Sequence, residues 1–385
     1  MGNIVDYLKS FGQKPFSEVN FKREDSLCLS QISYLKFDEL LQEMSDEKIL
    51  LKDLRSYKSF DSLFSDVRYE KQNRELYDAF TFARRFENLK LSFYINRIRV
   101  EDETQFSAVT FTMPEAGVFV CFRGTDETMV GWQEDARMAL NRPIEGQKLS
   151  ARYLDDVASK IHGPFMVGGH SKGGNLAMYS AMCCHKAVRE RISRIYSFDG
   201  PGFRKTFLDA HNYAEIEDRV ERIIPKSSYV GLMFASDKNH MVVEAKELGL
   251  SQHIPYNWVI ERGRFKEGKL KKNHVNMLDA FNKTVLSLDD KGAEIFVNYL
   301  TDLMGSFDAE TTIELSEDVM KHMLNAARAQ KEVDEDTKKF LEAFLKTYFE
   351  ILGDSINSEM QDRRLEFQSK LEAVFGKTKI KLGGV

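Results

Sequence analysis

Apolar residues first recur at helical spacing and then change period. Ile4, Tyr7, Leu8 and Phe11 share one helical face, and Leu35, Phe37, Leu40, Leu41 and Met44 repeat the spacing beyond a polar stretch from Gly12 to Arg23. Leu76, Tyr77, Phe80, Phe82 and Phe86 predict another helix. Such helices are expected to pack on a sheet; the alternative is that they wall a binding cleft. From about residue 91 the pattern turns to strands. Leu91–Ile95 and Ile98–Val100 predict strand fragments, and Phe106–Thr112 and Val118–Phe122 flank a turn with Pro114 and Gly117, as a hairpin requires. Tyr153, Leu154, Val157 and Ile161 share a face of a helix expected over 149–161, with Ser150 as cap and Gly163 as stop. Phe165–Val167, Arg194–Phe198, 219–224 and 240–245 predict further strands, and Trp258–Phe265 a hairpin. Beyond about 275 the chain reads as helices.

The expected division is an N-terminal helical region over 1–90, an α/β core over 91–306 and a C-terminal helical extension over 307–385. The charged faces of that extension are most simply solvated, the alternative being partner binding or self-association.

Composition narrows the function classes. A net charge of −5 provides no field to draw nucleic acid or an anionic membrane. No apolar run reaches the roughly 20 residues of a membrane span, and the start does not resemble a secretory signal. The cysteines, Cys28, Cys121, Cys183 and Cys184, form no C-x-x-C pair, so free thiols and a cytoplasmic setting are expected. No metal site is expected, because the histidines lack H-x-x-x-H or H-E-x-x-H spacing. No phosphate-loop motif occurs, and no cofactor is expected.

The chemistry concentrates between residues 164 and 176. Phe165-Met-Val leads into Gly169-His-Ser-Lys-Gly173, and helix formers follow from Leu176. This is G-x-S-x-G between a strand and a helix, the nucleophile elbow of α/β-hydrolases. Ser171 is the candidate nucleophile. The backbone N–H of Lys172, at a helix N-terminus, is a candidate oxyanion donor. The Lys172 side chain is expected to be solvated; the alternative is a place at the mouth of the cleft, favouring an acidic or polar substrate.

Upstream, Phe122-Arg-Gly-Thr-Asp126 closes a strand, and Trp132 and Asp135 follow. With the Gly-His-Ser-x-Gly-Gly stretch, this resembles class 3 lipases over roughly residues 90–260. The closest likeness is to a bacterial branch carrying His-Ser-Lys-Gly-Gly-Asn. The resemblance implies an α/β-hydrolase fold, a mostly parallel sheet flanked by helices, with Thr125 at the oxyanion hole. It also implies a lid near 126–147, where Met129, Val130, Trp132, Met138 and Leu140 are apolar. The activity implied is hydrolysis of a carboxylic ester, a small molecule or a lipid, with a thioester as a variant.

A serine needs a base, and the base needs a carboxylate. In this fold both follow the serine in the chain. The position where class 3 lipases carry the acid holds Ser227 or Ser228. Asp199, in Phe198-Asp-Gly-Pro201, stands after the preceding strand instead, as in pancreatic-type lipases; its alternative use is as a turn former. Asp237 is the fallback acid. His253 follows the last sheet strand and is the preferred base, with His274 as fallback. The weak acid position leaves a rival reading, in which a catalytically weak or inactive hydrolase fold serves as a scaffold through its C-terminal helices.

Overall fold

The computed structural model describes residues 2–42, 48–65, 67–99, 101, 104–126, 131, 134–135, 137–138, 142–236, 239–247 and 249–287. Contacts divide the chain into two units, Met1–Glu332 and Val333–Val385, and all described residues belong to the first. The expected extension over 307–385 and the apolar residues Met129, Val130, Trp132 and Leu140 lie outside the described residues.

Four helices open the chain: α1 (Ile4–Ser10), α2 (Arg23–Ile32), α3 (Asp38–Gln42) and α4 (Glu70–Phe82). Between α3 and α4 lies a short strand, β1 (Ile49–Leu50), which the sequence pattern does not reveal. It pairs antiparallel with β2 (Lys90–Arg99), so the sheet begins inside the N-terminal region rather than near residue 91. The two predicted fragments near 91–100 are one strand, bulged between Ser92 and Ile95. Strands β3 (Thr104–Met113) and β4 (Gly117–Phe122) form the expected hairpin.

Strands β4, β5 (Phe165–His170), β6 (Ile192–Phe198), β7 (Val220–Pro225) and β8 (Met241–Val243) are parallel neighbours in chain order. Right-handed crossovers between strands taken in sequence return over the same face of a sheet. Accordingly α5 (Glu145–Lys160) and α6 (Lys172–Cys183) pack together with Val120, Phe122, Val167 and Ile195. That arrangement leaves the opposite face to be covered by something else. The N-terminal helices cover it: Leu8, Leu27, Leu29 and Phe80 join a second core with Phe119, Cys121, Met166 and Tyr196. The alternation within β4 thus sends Val120 and Phe122 into one core and Phe119 and Cys121 into the other, as a strand buried on both faces requires. The expected helix packing of the first ninety residues is therefore a structural necessity of the strand order.

Helices α7 (Lys186–Arg189) and α8 (Lys205–Ala210) flank β6, β9 (Ile260–Glu261) and β10 (Arg264–Phe265) make the second hairpin, and α9 (Lys272–Ser287) follows. The hairpin turns through Arg262 and Gly263, both at positive φ, which suits a two-residue turn. No described helix is long and apolar enough to cross a membrane. The sheet and its flanking helices make an α/β-hydrolase fold.

Candidate active site

Ser171 stands between the end of β5 and the start of α6 with φ 59° and ψ −132°. Side chains rarely adopt this backbone region, and such strain persists only where the surroundings hold it. Here the Ser171 N–H donates to the Phe198 carbonyl at 2.9 Å, and the Ser171 carbonyl accepts from the Gly174 N–H at 2.9 Å. Glycine is required at 173, because a Cβ there would collide with the Phe122 carbonyl oxygen. Elbow and oxyanion strand therefore approach as closely as backbone allows. Lys172 is the first residue of α6, so its N–H has no acceptor within the helix.

Asp199 directly follows β6 and is fully buried, with φ 49°, a region Asp tolerates better than most residues. Its Oδ2 accepts from His253 Nδ1 at 2.7 Å. Its Oδ1 accepts from the Gly231 N–H at 3.0 Å and from the Ser228 hydroxyl. Ser228 is one of the serines standing where the class 3 lipase pattern has its acid. Its hydroxyl instead supports the aspartate from the neighbouring strand.

His253 closes a 3-10 turn, Gly249–His253, after β8. Its side chain is 22% exposed. Donation from Nδ1 to Asp199 assigns the proton to that nitrogen and leaves Nε2 as the basic one. The His253 ring lies 4.5 Å from the ring of His170, centroid to centroid, and His170 is the residue before Ser171. The fold thus brings Asp199, His253 and the elbow to one place. Asp237 and the side chain of His274 lie outside the described residues.

Two residues that the sequence reading missed complete this arrangement. His170 is buried and donates from Nε2 to the His253 carbonyl at 2.7 Å; its Nδ1 accepts from the Tyr34 hydroxyl at 3.0 Å. Burial, reinforced by the nearby His253, holds the His170 pKa well below its ordinary value, so this ring is neutral and structural. His170 is visible inside the elbow motif. Tyr34 has no local signal, because it arrives from the N-terminal helices.

The Lys172 side chain corrects an expectation. It is not solvated: it is 1% exposed. Its three ammonium hydrogens meet the Gln105 carbonyl at 3.0 Å, Gln105 Oε1 at 2.7 Å and Glu134 Oε2 at 2.9 Å. A buried ammonium survives only with such compensation. Glu134 is buried as well, and its Oε1 accepts from the Gly146 N–H at 2.8 Å. This bond explains why α5 begins at Glu145 and not at the predicted 149: a carboxylate from another segment satisfies its first turn. Ser150 then lies inside the helix, its hydroxyl donating to the Gln147 carbonyl at 2.7 Å.

The loop that carries Thr125, the candidate oxyanion loop, is tied to the same network. Thr125 donates its hydroxyl to Asp135 Oδ2, and Asp135 Oδ1 lies 3.7 Å from Lys172 Nζ. Burial pushes the Asp135 carboxyl up to about 6, against the pull of Lys172. Arg123 fixes the other end of the loop: its N–H donates to the Ser107 carbonyl at 2.9 Å, and its guanidinium bonds Asn96 and Asp126 at 3.0 Å each. Among the described residues, no group of three or more His, Cys, Asp or Glu side chains is placed to hold a metal ion.

Two solved structures resemble the chain at low identity. M37 lipase is 15% identical, with 55% of this chain and 70% of that one covered at a TM-score of 0.36. Rhizomucor miehei lipase, in a propeptide complex, is 14% identical, with 64% and 82% covered at a TM-score of 0.29. No curated protein matches the sequence. The sequence profile of one family, described as Mbeg1-like, matches residues 80–302, more than half of the chain and all of the parallel sheet. The chain belongs to the Mbeg1-like family, a lipase-like class 3 family.

Proposed function

We propose that the protein is a serine hydrolase that cleaves a carboxylic ester through an acyl-enzyme. The observation that carries this reading is the Asp199–His253 pair, bonded at 2.7 Å, with the His253 ring 4.5 Å from that of the residue that precedes a strained, elbow-borne Ser171.

In this reading His253 Nε2 takes the proton from the Ser171 hydroxyl as its oxygen attacks the ester carbonyl. The tetrahedral oxyanion is met by the backbone N–H groups of Thr125 and Lys172. His253 returns the proton to the leaving alcohol, and an acyl group remains on Ser171. Water, deprotonated by the same nitrogen, then releases the acid. Asp199 holds the tautomer and stabilises the imidazolium, while Ser228 and Gly231 keep its charge in place. His170 holds the His253 backbone, so it is a positioning residue.

A chromogenic ester tests this directly. With 4-nitrophenyl butyrate, rapid mixing is expected to give a burst of nitrophenolate near one equivalent, and mass spectrometry a butyryl group on Ser171. Ser171→Ala is expected to lose both. Turnover without an acylated Ser171, or turnover preserved in Ser171→Ala, overturns the proposal.

A further inference from the structure

Asp199 does not hold its own place. Its Oδ1 lies against the loop that follows β7, where the Ser228 hydroxyl and the Gly231 N–H both donate to it. A Cβ on residue 231 would collide with that oxygen, so the carboxylate rests directly on the loop backbone. The position of the loop therefore sets the position of the acid.

Two amide side chains grip this loop. At its start the Ser227 N–H donates to Gln252 Oε1 at 3.0 Å. Gln252 is fully buried and precedes His253, so this grip comes from the base's own turn. Past Gly231 the grip comes from α9. Asn282 Nδ2 donates to the Leu232 carbonyl at 2.7 Å, and Asn282 Oδ1 accepts from the Phe234 N–H at 2.7 Å. A carbonyl only accepts and an N–H only donates, so the Asn282 amide has one orientation. Between the two bonds the Met233 carbonyl accepts from the Gly202 N–H at 2.8 Å, which fastens the same stretch to the loop after Asp199. Phe234 is buried at φ 58°, a region that a bulky side chain enters only where its surroundings hold it. Asn282 supplies such a hold at the N–H of the strained residue. It is buried one turn after the buried Leu278, so α9 turns this face inward.

We propose that Asn282 is a positioning residue of the candidate active site: from α9 it fixes the stretch 232–234, and through Gly231 and Ser228 it fixes the Asp199 carboxylate against His253. Its effect on catalysis rests on the hydrolase reading; the placement of Asp199 does not. Asn282 acts through the loop and not on the substrate.

Two readouts separate this role from a contribution to packing alone. The first is the downfield proton NMR resonance of His253 Nδ1, assigned by its absence in His253→Ala. It reports the Asp199–His253 bond without any chemistry at Ser171. The second is the second-order rate of Ser171 labelling by a fluorophosphonate. In folded Asn282→Ala the resonance is expected to move upfield or to be lost to exchange. Labelling is expected to slow about tenfold or more, because a small misplacement of a catalytic group costs rate steeply. Arg85→Met, which loses stability in the N-terminal region, is expected to keep both readouts at wild-type values. Asn282→Asp has the shape of the native residue, keeps the acceptor for the Phe234 N–H and loses the donor to the Leu232 carbonyl. At pH 8 it is expected to change both readouts in the same direction, and it decides the question if Asn282→Ala does not fold. Either readout at its wild-type value in the folded variant overturns the proposal. Absence of labelling in the wild-type protein contradicts the hydrolase reading instead, and the resonance alone then decides whether Asn282 places Asp199.

Discussion

Among the described residues two ion pairs are wholly buried, and they are built differently. In the N-terminal helical region, Asp25 accepts four bonds: from Arg85 Nε and Nη2 at 2.8 and 2.7 Å, from the Tyr7 hydroxyl at 2.8 Å and from the Lys22 N–H at 2.8 Å. Arg85 donates further to the Lys14 and Asn20 carbonyls at 2.8 and 2.9 Å. Beside the candidate nucleophile, Lys172 and Glu134 satisfy each other, but among the described residues polar atoms around them are left over. Asp135 Oδ1 and Gln105 Nε2 have no hydrogen-bond partner among the described residues. A saturated pair fixes packing and nothing more. Unpaired polar atoms are costly in a protein interior, and this network stands one residue from the candidate nucleophile, where the proposed chemistry would use it to hold the oxyanion loop.

Breaking the two pairs in turn sharpens that contrast. Arg85→Met carries the largest expected effect, since it strands the Asp25 charge and frees two backbone carbonyls; chemical denaturation is expected to read a loss of about 3–5 kcal/mol or more. The double variant Arg85→Met/Asp25→Leu is expected to recover part of it, with the Ser171 acylation rate of the folded protein unchanged in both. Lys172→Met strands Glu134 and is expected to cost about 3–5 kcal/mol. In Lys172→Met/Glu134→Gln most of that stability is expected to return, while acylation stays about tenfold or more below wild type, because the oxyanion loop has lost its anchor. If the double variant acylates at the wild-type rate, the network is structural only and the contrast collapses.

Smaller effects belong to the outer parts of the site. Tyr34→Phe removes the donor to His170 Nδ1 and leaves a buried acceptor alone, at an expected cost of about 1–3 kcal/mol. Thermal unfolding at pH 8 reads it; a shift of melting temperature within error means that the Tyr34 bond carries no weight. Asp135 gives a pH test. Its folded value of about 6 lies above the ordinary carboxylate value of 3.8, so the folded state holds the proton more tightly. Stability from this group is therefore full below about 3.8 and is lost as pH rises through about 6. Asp135→Asn is expected to stabilise by about 1–2 kcal/mol at pH 8 and to have little effect at pH 4. A stabilisation equal at both values contradicts the charge as its cause.

How much of this was legible follows from where each partner sits in the chain. Ser171, Thr125 and the strand before each are local signals, a few residues of fixed spacing, and the elbow is found where the motif predicts it. Asp199 and His253 are read from strand order, and the fold brings them together at the elbow. The burial of Lys172 is not legible, because its partners Gln105 and Glu134 come from distant segments and no local pattern distinguishes this lysine from a solvated one. The same distance hides Tyr34, and it hides the start of α5, which is set by Glu134 and not by a residue at the helix end. Strand β1 escaped because two residues are too few to show a period. What local sequence encodes is the position of the candidate nucleophile; what holds it in place is assembled by tertiary contacts.

The central claim is that Asp199 and His253 activate Ser171. Its most direct test is the second-order rate of Ser171 labelling by a fluorophosphonate in wild type, His253→Ala and Asp199→Asn, each shown to be folded. Loss of the base or of its carboxylate is expected to slow labelling by about 10³–10⁴-fold, as in other triads. Labelling at the wild-type rate in His253→Ala would contradict the account, whatever the other variants do.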